Sequence, residues 1–330
     1  VPSPIRVAVL SFWHVHAGDY TRRTVEHPDT ELVAIWDDDD ERGKAAAEQY
    51  GVEHTADLEA LLARDDIDAV TVTTETSRHR DIMVAAARAG KHIFTEKLLA
   101  PTVAEAEEII KACDDNGVKL IVSLPRLYDG YTPVIKELIE SGKLGDITYG
   151  RVRLSHNGSV ANWLPDRFYD PEPAIGGALT DLGCHPVYLT QLFLGSTPST
   201  VSATYGSVTG RAVEDNAVVT VGYPSGAIGV IEAGFASPSP FIIDIGGTEG
   251  VLTFNDRDGV VVVRGAAFGD DAQQLPIAEK APSAYEQWVT HIQQDTRADA
   301  NLAAAVELTR LVVAANESAH TGRTISYSKD

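Results

Sequence analysis

The sequence predicts an α/β protein of two domains, a doubly wound parallel sheet over residues 1–124 and an α+β domain with a large, mostly antiparallel sheet over residues 125–330. Three observations carry this prediction. At 330 residues the chain exceeds the size of a single core. Short β-branched runs alternate with helical segments in the first third. From residue 147 onward the pattern changes to strands separated by turns.

Taken in order, residues 5–10 form an apolar run suited to a buried parallel strand, and residues 17–27 can form a helix. Residues 32–36 make a second strand that ends in an acidic run, Asp37 to Asp40. A short helix at 57–63 precedes a third strand at 69–73, and an alanine-rich helix at 80–89 is closed by Gly90. Residues 92–95 supply a fourth strand. Thr102 and Glu105 form a capping box for a helix to Cys113, and residues 119–123 are a fifth strand. The helix 131–141 ends at Gly142. Strands follow at 147–155, 200–208, 217–223, 227–235, 241–245, 251–254 and 260–264. Two glycines, Gly176 and Gly177, open an apolar helix through residue 194, which is the natural cover for one face of the second sheet. A second capping box, Ser283 with Glu286, begins the last helices.

Composition narrows the function. Hydrophobic content of 44% and charged content of 23% are ordinary for a globular protein. A formal net charge of −21 repels phosphate backbones, so neither nucleic acid nor an anionic membrane is an expected partner. Two cysteines are too few for a disulfide framework or a thiolate metal site. No run approaches the ~20 apolar residues that span a bilayer. The first four residues lack a signal peptide's basic and apolar segments, and a cytoplasmic protein is expected.

In doubly wound sheets ligands bind beyond the carboxyl ends of the strands. The residues there are 11–16, Asp37, 74–79, Glu96, Lys97 and 124–126. Asp37 follows the first strand at about the distance of an acid that accepts hydrogen bonds from a ribose 2′-hydroxyl and repels a 2′-phosphate, which favours NAD. Farther on, Asp181 and His185 stand four residues apart on one helical face, a carboxylate beside an imidazole. Pro186 lacks an N–H, so the Leu182 carbonyl loses its helical donor and a kink is expected beside His185.

Several motifs in order resemble the glucose–fructose oxidoreductase / inositol dehydrogenase family (Gfo/Idh/MocA) of NAD(P)-dependent oxidoreductases. They are Asp68–Ala69–Val70 through Thr74 to His79, Ala89–Gly90–Lys91–His92, and Glu96–Lys97. Gly142–Lys143–Leu144–Gly145, Gly176–Gly177 with Asp181 and His185, and Gly247–Thr248–Glu249–Gly250 follow at family-like spacings. The resemblance implies a Rossmann domain with bound NAD, a substrate and oligomerisation domain, and a homodimer or homotetramer built on the outer sheet face. It implies a dehydrogenase that oxidises a secondary hydroxyl of a sugar, polyol or sugar derivative. Lys97, Asp181 and His185 would be the catalytic set. His185 is then the expected base, Asp181 its orienter, and Lys97 the cation beside the reacting oxygen. Ser11, Phe12, Trp13, His14, Asp37, Thr74, His79 and Glu96 would line the cofactor with Lys97. Arg126, Tyr128, Asn157, Trp163, Arg167 and Tyr169 offer aromatic faces and hydrogen-bonding groups to a carbohydrate.

Two departures stand out. The Gly-x-Gly-x-x-Gly of the family falls on Ser11 to His16, with no glycine. Serine is expected to replace the first glycine with little strain, while two imidazoles would bring positive charge to pyrophosphate height. Leu98 stands where the family has proline after the lysine. His14, His16 and His185 lack a typical ligand spacing, and no metal is expected. Two alternatives accompany the dehydrogenase: a redox-neutral glycosidase or lyase working through transient oxidation of a sugar hydroxyl, and a non-catalytic dinucleotide sensor.

Overall fold

The computed structural model describes residues 3–327; Val1 and Pro2, part of the segment read above for targeting signals, lie outside them. By internal contacts the chain divides into two compact units. The first contains the residues up to Leu124 together with Pro282–Val306, and the second contains Pro125–Ala281 and the residues from Glu307 onward. The segment 282–306 packs with the first unit. Side chains explain this. Asn301 mimics a neighbouring strand at the sheet edge, its Oδ1 accepting the Val122 N–H and its Nδ2 donating to the Val122 carbonyl, both at 2.9 Å. Trp288, fully buried, donates its indole N–H to the Lys119 carbonyl, and the Tyr285 hydroxyl donates to Thr24.

The first unit holds β1 (Ile5–Leu10), β2 (Thr30–Trp36), β3 (Glu53–Thr55), β4 (Ala69–Val72), β5 (His92–Thr95) and β6 (Leu120–Val122). These form one parallel sheet in the order β3-β2-β1-β4-β5-β6, so the winding reverses between β1 and β4. Strands buried on both faces account for the unbroken runs of Val, Ile and Ala that the sequence shows. One helix, Asp40–Tyr50, and the strand β3 were not expected. The acidic run is a helix start: the Asp39 side chain accepts the Arg42 N–H, and Asp40 and Glu41 occupy the first turn.

The second unit contains β7 (Ile147–Ser155), β8 (Thr200–Gly206), β9 (Asn216–Gly222), β10 (Ile228–Gly234), β11 (Ser239–Gly247), β12 (Gly250–Asn255), β13 (Val260–Gly265), β14 (Gly269–Pro276) and β15 (Ile325–Ser326). Their order is β14-β13-β12-β11-β7-β10-β9-β8-β15, with only the β7–β10 pair parallel. The helix Cys184–Leu194 covers one face. Gly150 and Gly229 let it lie close, since a Cβ at Gly150 would sit 2.5 Å from Leu194 Cδ1 and one at Gly229 would sit 3.0 Å from Thr190 Cγ2. The opposite face leaves Tyr149, Val218, Ile228 and Val251 exposed around Arg151, which pairs with Glu232 and Asp244. Among the described residues no helix is long and apolar enough to cross a membrane.

Candidate active site

At the carboxyl end of β1 the chain turns through Ser11, whose φ of 75° is the left-handed conformation that a glycine adopts without cost. The serine therefore carries backbone strain, against the expectation of an easy replacement. It compensates locally, because its Oγ accepts the Trp13 N–H at 3.1 Å. The other amides of the loop are also committed. Phe12 N–H donates to Asp37, His14 N–H to the Thr73 carbonyl, His16 N–H to His14 Nδ1, and Ala17 N–H to the His14 carbonyl. Trp13 is buried, with its ring beside that of His14.

Asp37 ends β2 and is fully buried. Its two oxygens accept from Phe12 N–H (2.7 Å), Asp39 N–H (3.0 Å), Arg42 Nε (2.9 Å) and an Arg42 terminal nitrogen (2.5 Å). Burial alone would raise this carboxyl; the Arg42 guanidinium and the two amides instead hold it below the usual carboxylate range. A ribose hydroxyl would reach Asp37 only where Arg42 gives way, and Arg42 is itself the nearest cation for a phosphate.

Beyond β5 lies the densest polar cluster. Glu96 is buried, with its Oε2 3.1 Å from His16 Nδ1 and 3.9 Å from His14 Nδ1, and its Oε1 3.7 Å from Lys97 Nζ. The Tyr20 hydroxyl donates a short hydrogen bond to the same Oε2 and lies 2.8 Å from Ser123 Oγ. Burial opposes the charge on Glu96, but His14, His16 and Lys97 outweigh it and keep the carboxyl well below its ordinary range. One ring nitrogen each of His14 and His16 and a carboxylate oxygen of Glu96 lie within 4.8 Å of one another, a donor set that could hold a divalent metal. Each is already engaged in the bonds just named. The Lys97–Leu98 peptide bond is cis. Behind it His79 is wholly buried, with Nδ1 2.8 Å from the Leu98 carbonyl and Nε2 3.3 Å from that of Thr74. Burial lowers its pKa, so His79 is a neutral clamp on the lysine loop, the structural place the sequence reading gives it. Thr74 is likewise buried.

In the second unit, Asp181 lies in a π-helical stretch, Leu179–Gly183, that passes into the α-helix Cys184–Leu194. The irregularity expected at Pro186 thus takes the form of a wider turn before it. In that register the Asp181 carbonyl would look to Pro186, which has no N–H. The Cys184 thiol donates to it instead, at 3.0 Å. The stretch is anchored at its start by Glu214, which accepts the Gly177 N–H at 3.0 Å and the Leu179 N–H at 2.9 Å. A Cβ at Gly177 would lie 2.2 Å from the Glu214 carbonyl oxygen, so only glycine fits. Sequence reasoning missed Glu214, which stands far away in the chain without a motif.

His185 is buried, and its Nδ1 lies 2.8 Å from the Tyr188 hydroxyl, a group the sequence reading did not consider. Tyr188 also accepts the Arg126 N–H at 3.0 Å. The Arg126 guanidinium lies 4.2 Å over the Phe241 ring and 4.0 Å from Asp129, and Tyr128 follows it on the same short turn. In the loop after β7, Trp163 is 53% exposed, with its indole N–H 3.4 Å from Asn157 Oδ1 and its ring against His156, so its face is available to a ligand. Arg167 lies over Phe168, whereas Tyr169 is buried beneath Arg211, whose guanidinium is 3.7 Å from its ring. Tyr169 therefore supports this loop.

Residues 13–124 match the oxidoreductase family with an NAD-binding Rossmann fold, and residues 134–253 match the GFO/IDH/MocA C-terminal domain. D-xylose 1-dehydrogenase (NADP(+)) 2 of Haloferax volcanii is 31% identical over 232 residues, 70% of either chain. The chain belongs to the Gfo/Idh/MocA family of oxidoreductases. A D-apiose dehydrogenase of Rhizobium rhizogenes is 25% identical over 317 residues, covering 89% of each chain. Among solved structures, GenD2 from gentamicin A biosynthesis, in complex with NAD, has a TM-score of 0.81 at 26% identity, covering 99% of this chain and 97% of that one. Levoglucosan dehydrogenase with NADH and levoglucosan shares the fold, with a TM-score of 0.82 at 22% identity over 99% of this chain and 100% of that one. This Gfo/Idh/MocA chain keeps Lys97 in its first unit and Asp181 and His185 in its second. Its first unit fits a dinucleotide through the strand reversal at β1 and β4, the left-handed turn at Ser11 and the buried acid ending β2.

Proposed function

We propose that the protein is an NAD-dependent dehydrogenase that oxidises a secondary hydroxyl of a sugar, polyol or sugar derivative. The observation that carries this reading is the Glu96–Lys97 pair. Both side chains are 2% exposed at the carboxyl end of β5, where a buried ammonium is costly to keep and suits a group that meets charge on a bound oxygen. Relatives named D-xylose 1-dehydrogenase, D-apiose dehydrogenase and inositol 2-dehydrogenase support the substrate class. Bound NAD supplies the hydride acceptor. Lys97 in the first unit and His185 and Asp181 in the second are the residues assigned to the chemistry, and Trp163, Asn157, Arg167, Arg126 and Tyr128 are those assigned to sugar binding. Five amides of the loop 12–17 are already satisfied within the first unit, and the Val15 N–H is the backbone donor assigned to the pyrophosphate. The test is NADH formation on a panel of pentoses, hexoses and inositols. Absence of NADH with every member overturns the reading, and consumption of a glycoside at constant nicotinamide absorbance supports the redox-neutral alternative.

Asp37 sets the preference for NAD by repelling a 2′-phosphate. In Asp37→Ala the Arg42 guanidinium loses its buried carboxylate partner, keeps only the more exposed Asp38 and Asp39, and can turn to take that phosphate. The ratio of NADP to NAD kcat/KM is expected to rise by about 10–100-fold, the worth of one charge-assisted hydrogen bond. An unchanged ratio would remove Asp37 from cofactor selection. The exposed sheet face around Tyr149, Ile228 and Val251 suits a second copy of the chain, giving a homodimer or homotetramer. Light scattering is expected to give at least twice the mass of one chain, and a monomer would refute the assembly.

A further inference from the structure

The stretch from residue 156 to residue 179 of the second unit is fixed at both ends. At its start the His156 N–H donates to the Gly234 carbonyl at 2.9 Å and the Ser159 N–H to the Phe235 carbonyl at 3.0 Å. The His156 ring also stacks on Phe235, with centroids 4.8 Å apart. At its end Glu214 holds the Gly177 and Leu179 amides. The span between these anchors is poorly built to hold itself. Asn162 and Ile175 both take left-handed backbone, with φ of 56° and 57°, and a β-branched residue keeps that conformation only where its surroundings impose it. A cavity of about 360 Å³, with Pro171, Ile175, Tyr205, Ser207 and Glu214 in its wall, separates residues 171–176 from the turn that joins β8 to β9.

Arg211, on that turn, reaches across to the middle of the span. One terminal nitrogen donates to Asn162 Oδ1 at 2.9 Å and the other to Asp166 Oδ1 at 3.2 Å, while the guanidinium lies 3.7 Å from the centre of the Tyr169 ring. These ties are unequal. The Asp166 side chain is 97% exposed, so its ion pair is screened by water and contributes little. The Tyr169 ring is buried, and a planar cation laid on a buried aromatic face is held far better. The bond to Asn162 fixes the left-handed residue directly before Trp163. The indole that follows has one face toward His156 and its N–H 3.4 Å from Asn157 Oδ1. Where Arg211 holds Asn162 and Tyr169, it also decides where that indole stands.

We propose that Arg211 is the latch of the sugar-binding loop: through Asn162 and Tyr169 it holds residues 157–170 in the arrangement that presents the Trp163 face and the Asn157 amide to the sugar. The inference rests on the dehydrogenase reading above, which assigns Trp163 and Asn157 to sugar binding. Arg211 is a positioning residue in this scheme. A latch of this kind acts on affinity. A loop already ordered meets its ligand without losing further conformational freedom, whereas a loosened loop must be ordered at the moment of binding. The hydride step is carried by residues outside the loop, so it is left unchanged once the sugar is bound.

Trp163 reports on the latch directly. The other tryptophans, Trp13, Trp36 and Trp288, are buried, so subtracting the emission of a Trp163→Phe counterpart isolates the loop indole in each background. In the nanosecond anisotropy decay, where loop motion is seen, the fast component of Trp163 is expected to grow about twofold in Arg211→Ala and to stay at the wild-type level in Asp166→Asn. Tyr169→Leu, which removes the ring and leaves the arginine, is expected to match Arg211→Ala, and the double variant to add little to either. An Arg211→Ala decay identical to wild type overturns the proposal. An Asp166→Asn decay equal to that of Arg211→Ala also overturns it, since the tie would then be a surface ion pair. Should Arg211→Ala fail to fold, Arg211→Gln, which keeps most of the stem and loses the cation, decides in its place. Kinetics give an independent arm. On the panel sugar with the fastest NADH formation, the KM for sugar in Arg211→Ala is expected to rise about tenfold, the worth of one cation–π contact and one hydrogen bond, with kcat within about threefold and the KM for NAD unchanged. A fall in kcat at unchanged KM would refute the latch. Failure of the dehydrogenase reading itself would appear as absent NADH on every sugar, and the anisotropy would still decide whether Arg211 holds the loop.

Discussion

Lys97→Ala is expected to lower turnover by about 10²–10⁴-fold while the protein still folds. The ammonium lies at the end of β5, almost wholly out of water, with Glu96 Oε1 3.7 Å away. A charge so placed acts through a much lower effective dielectric than a surface lysine, so its loss is felt at the reacting oxygen and not averaged away by solvent. Folding survives because Glu96 keeps three other polar neighbours, His14, His16 and Tyr20. Lys97→Arg is not expected to restore the rate. A planar guanidinium is larger, stays charged at every working pH and can neither give nor take a proton. The measurement is NADH formation on the best sugar or polyol of the panel, with a thermal melt as control. Turnover within threefold of wild type for Lys97→Ala would remove the lysine from the chemistry.

The parts of this molecule legible in sequence are those fixed by local patterns. Parallel strands buried on both faces announce themselves as continuous β-branched runs, which is why β1, β4 and β5 could be placed from residue types alone. Asp37 and Lys97 are legible for a related reason, since strand ends in a doubly wound sheet are where ligand-facing groups must lie. The strand β14 was missed because it is a polar edge strand, mostly exposed, and its Asp270–Asp271 and Gln273–Gln274 pairs carry no alternation to detect. The helix after Asp39 was hidden by its acidic start, which reads equally as a loop. Long-range partnerships were the least accessible. Glu214 capping residues 177–179 and Asn301 completing the edge of β6 depend on contacts across tens of residues. Tyr188 was overlooked for a subtler reason: three residues after His185 on an apolar helix, a tyrosine reads as core, and only its hydroxyl geometry marks it as a partner of the ring.

Glu96→Gln is expected to destabilise the protein by about 3–5 kcal/mol at neutral pH, the usual result of removing one member of a buried charge group and stranding the others. Glutamine keeps the shape and one acceptor, yet it leaves Lys97 and the two imidazoles facing a neutral amide. The pH dependence separates this electrostatic cost from a packing defect. Glu96 has its carboxyl held well below the ordinary value by His14, His16 and Lys97, in spite of burial. A group depressed in the folded state stabilises it wherever the carboxyl is ionised. That contribution is fully present above the unfolded value of about 4.3 and is lost as pH falls below it through the folded value. The gap in melting temperature between wild type and Glu96→Gln should therefore be widest at neutral pH and narrow in acid, as the wild-type carboxyl itself becomes neutral. A gap that stays constant from neutral to acid solution would mean that Glu96 serves the fold by shape alone, and the cluster at the end of β5 would lose its charge.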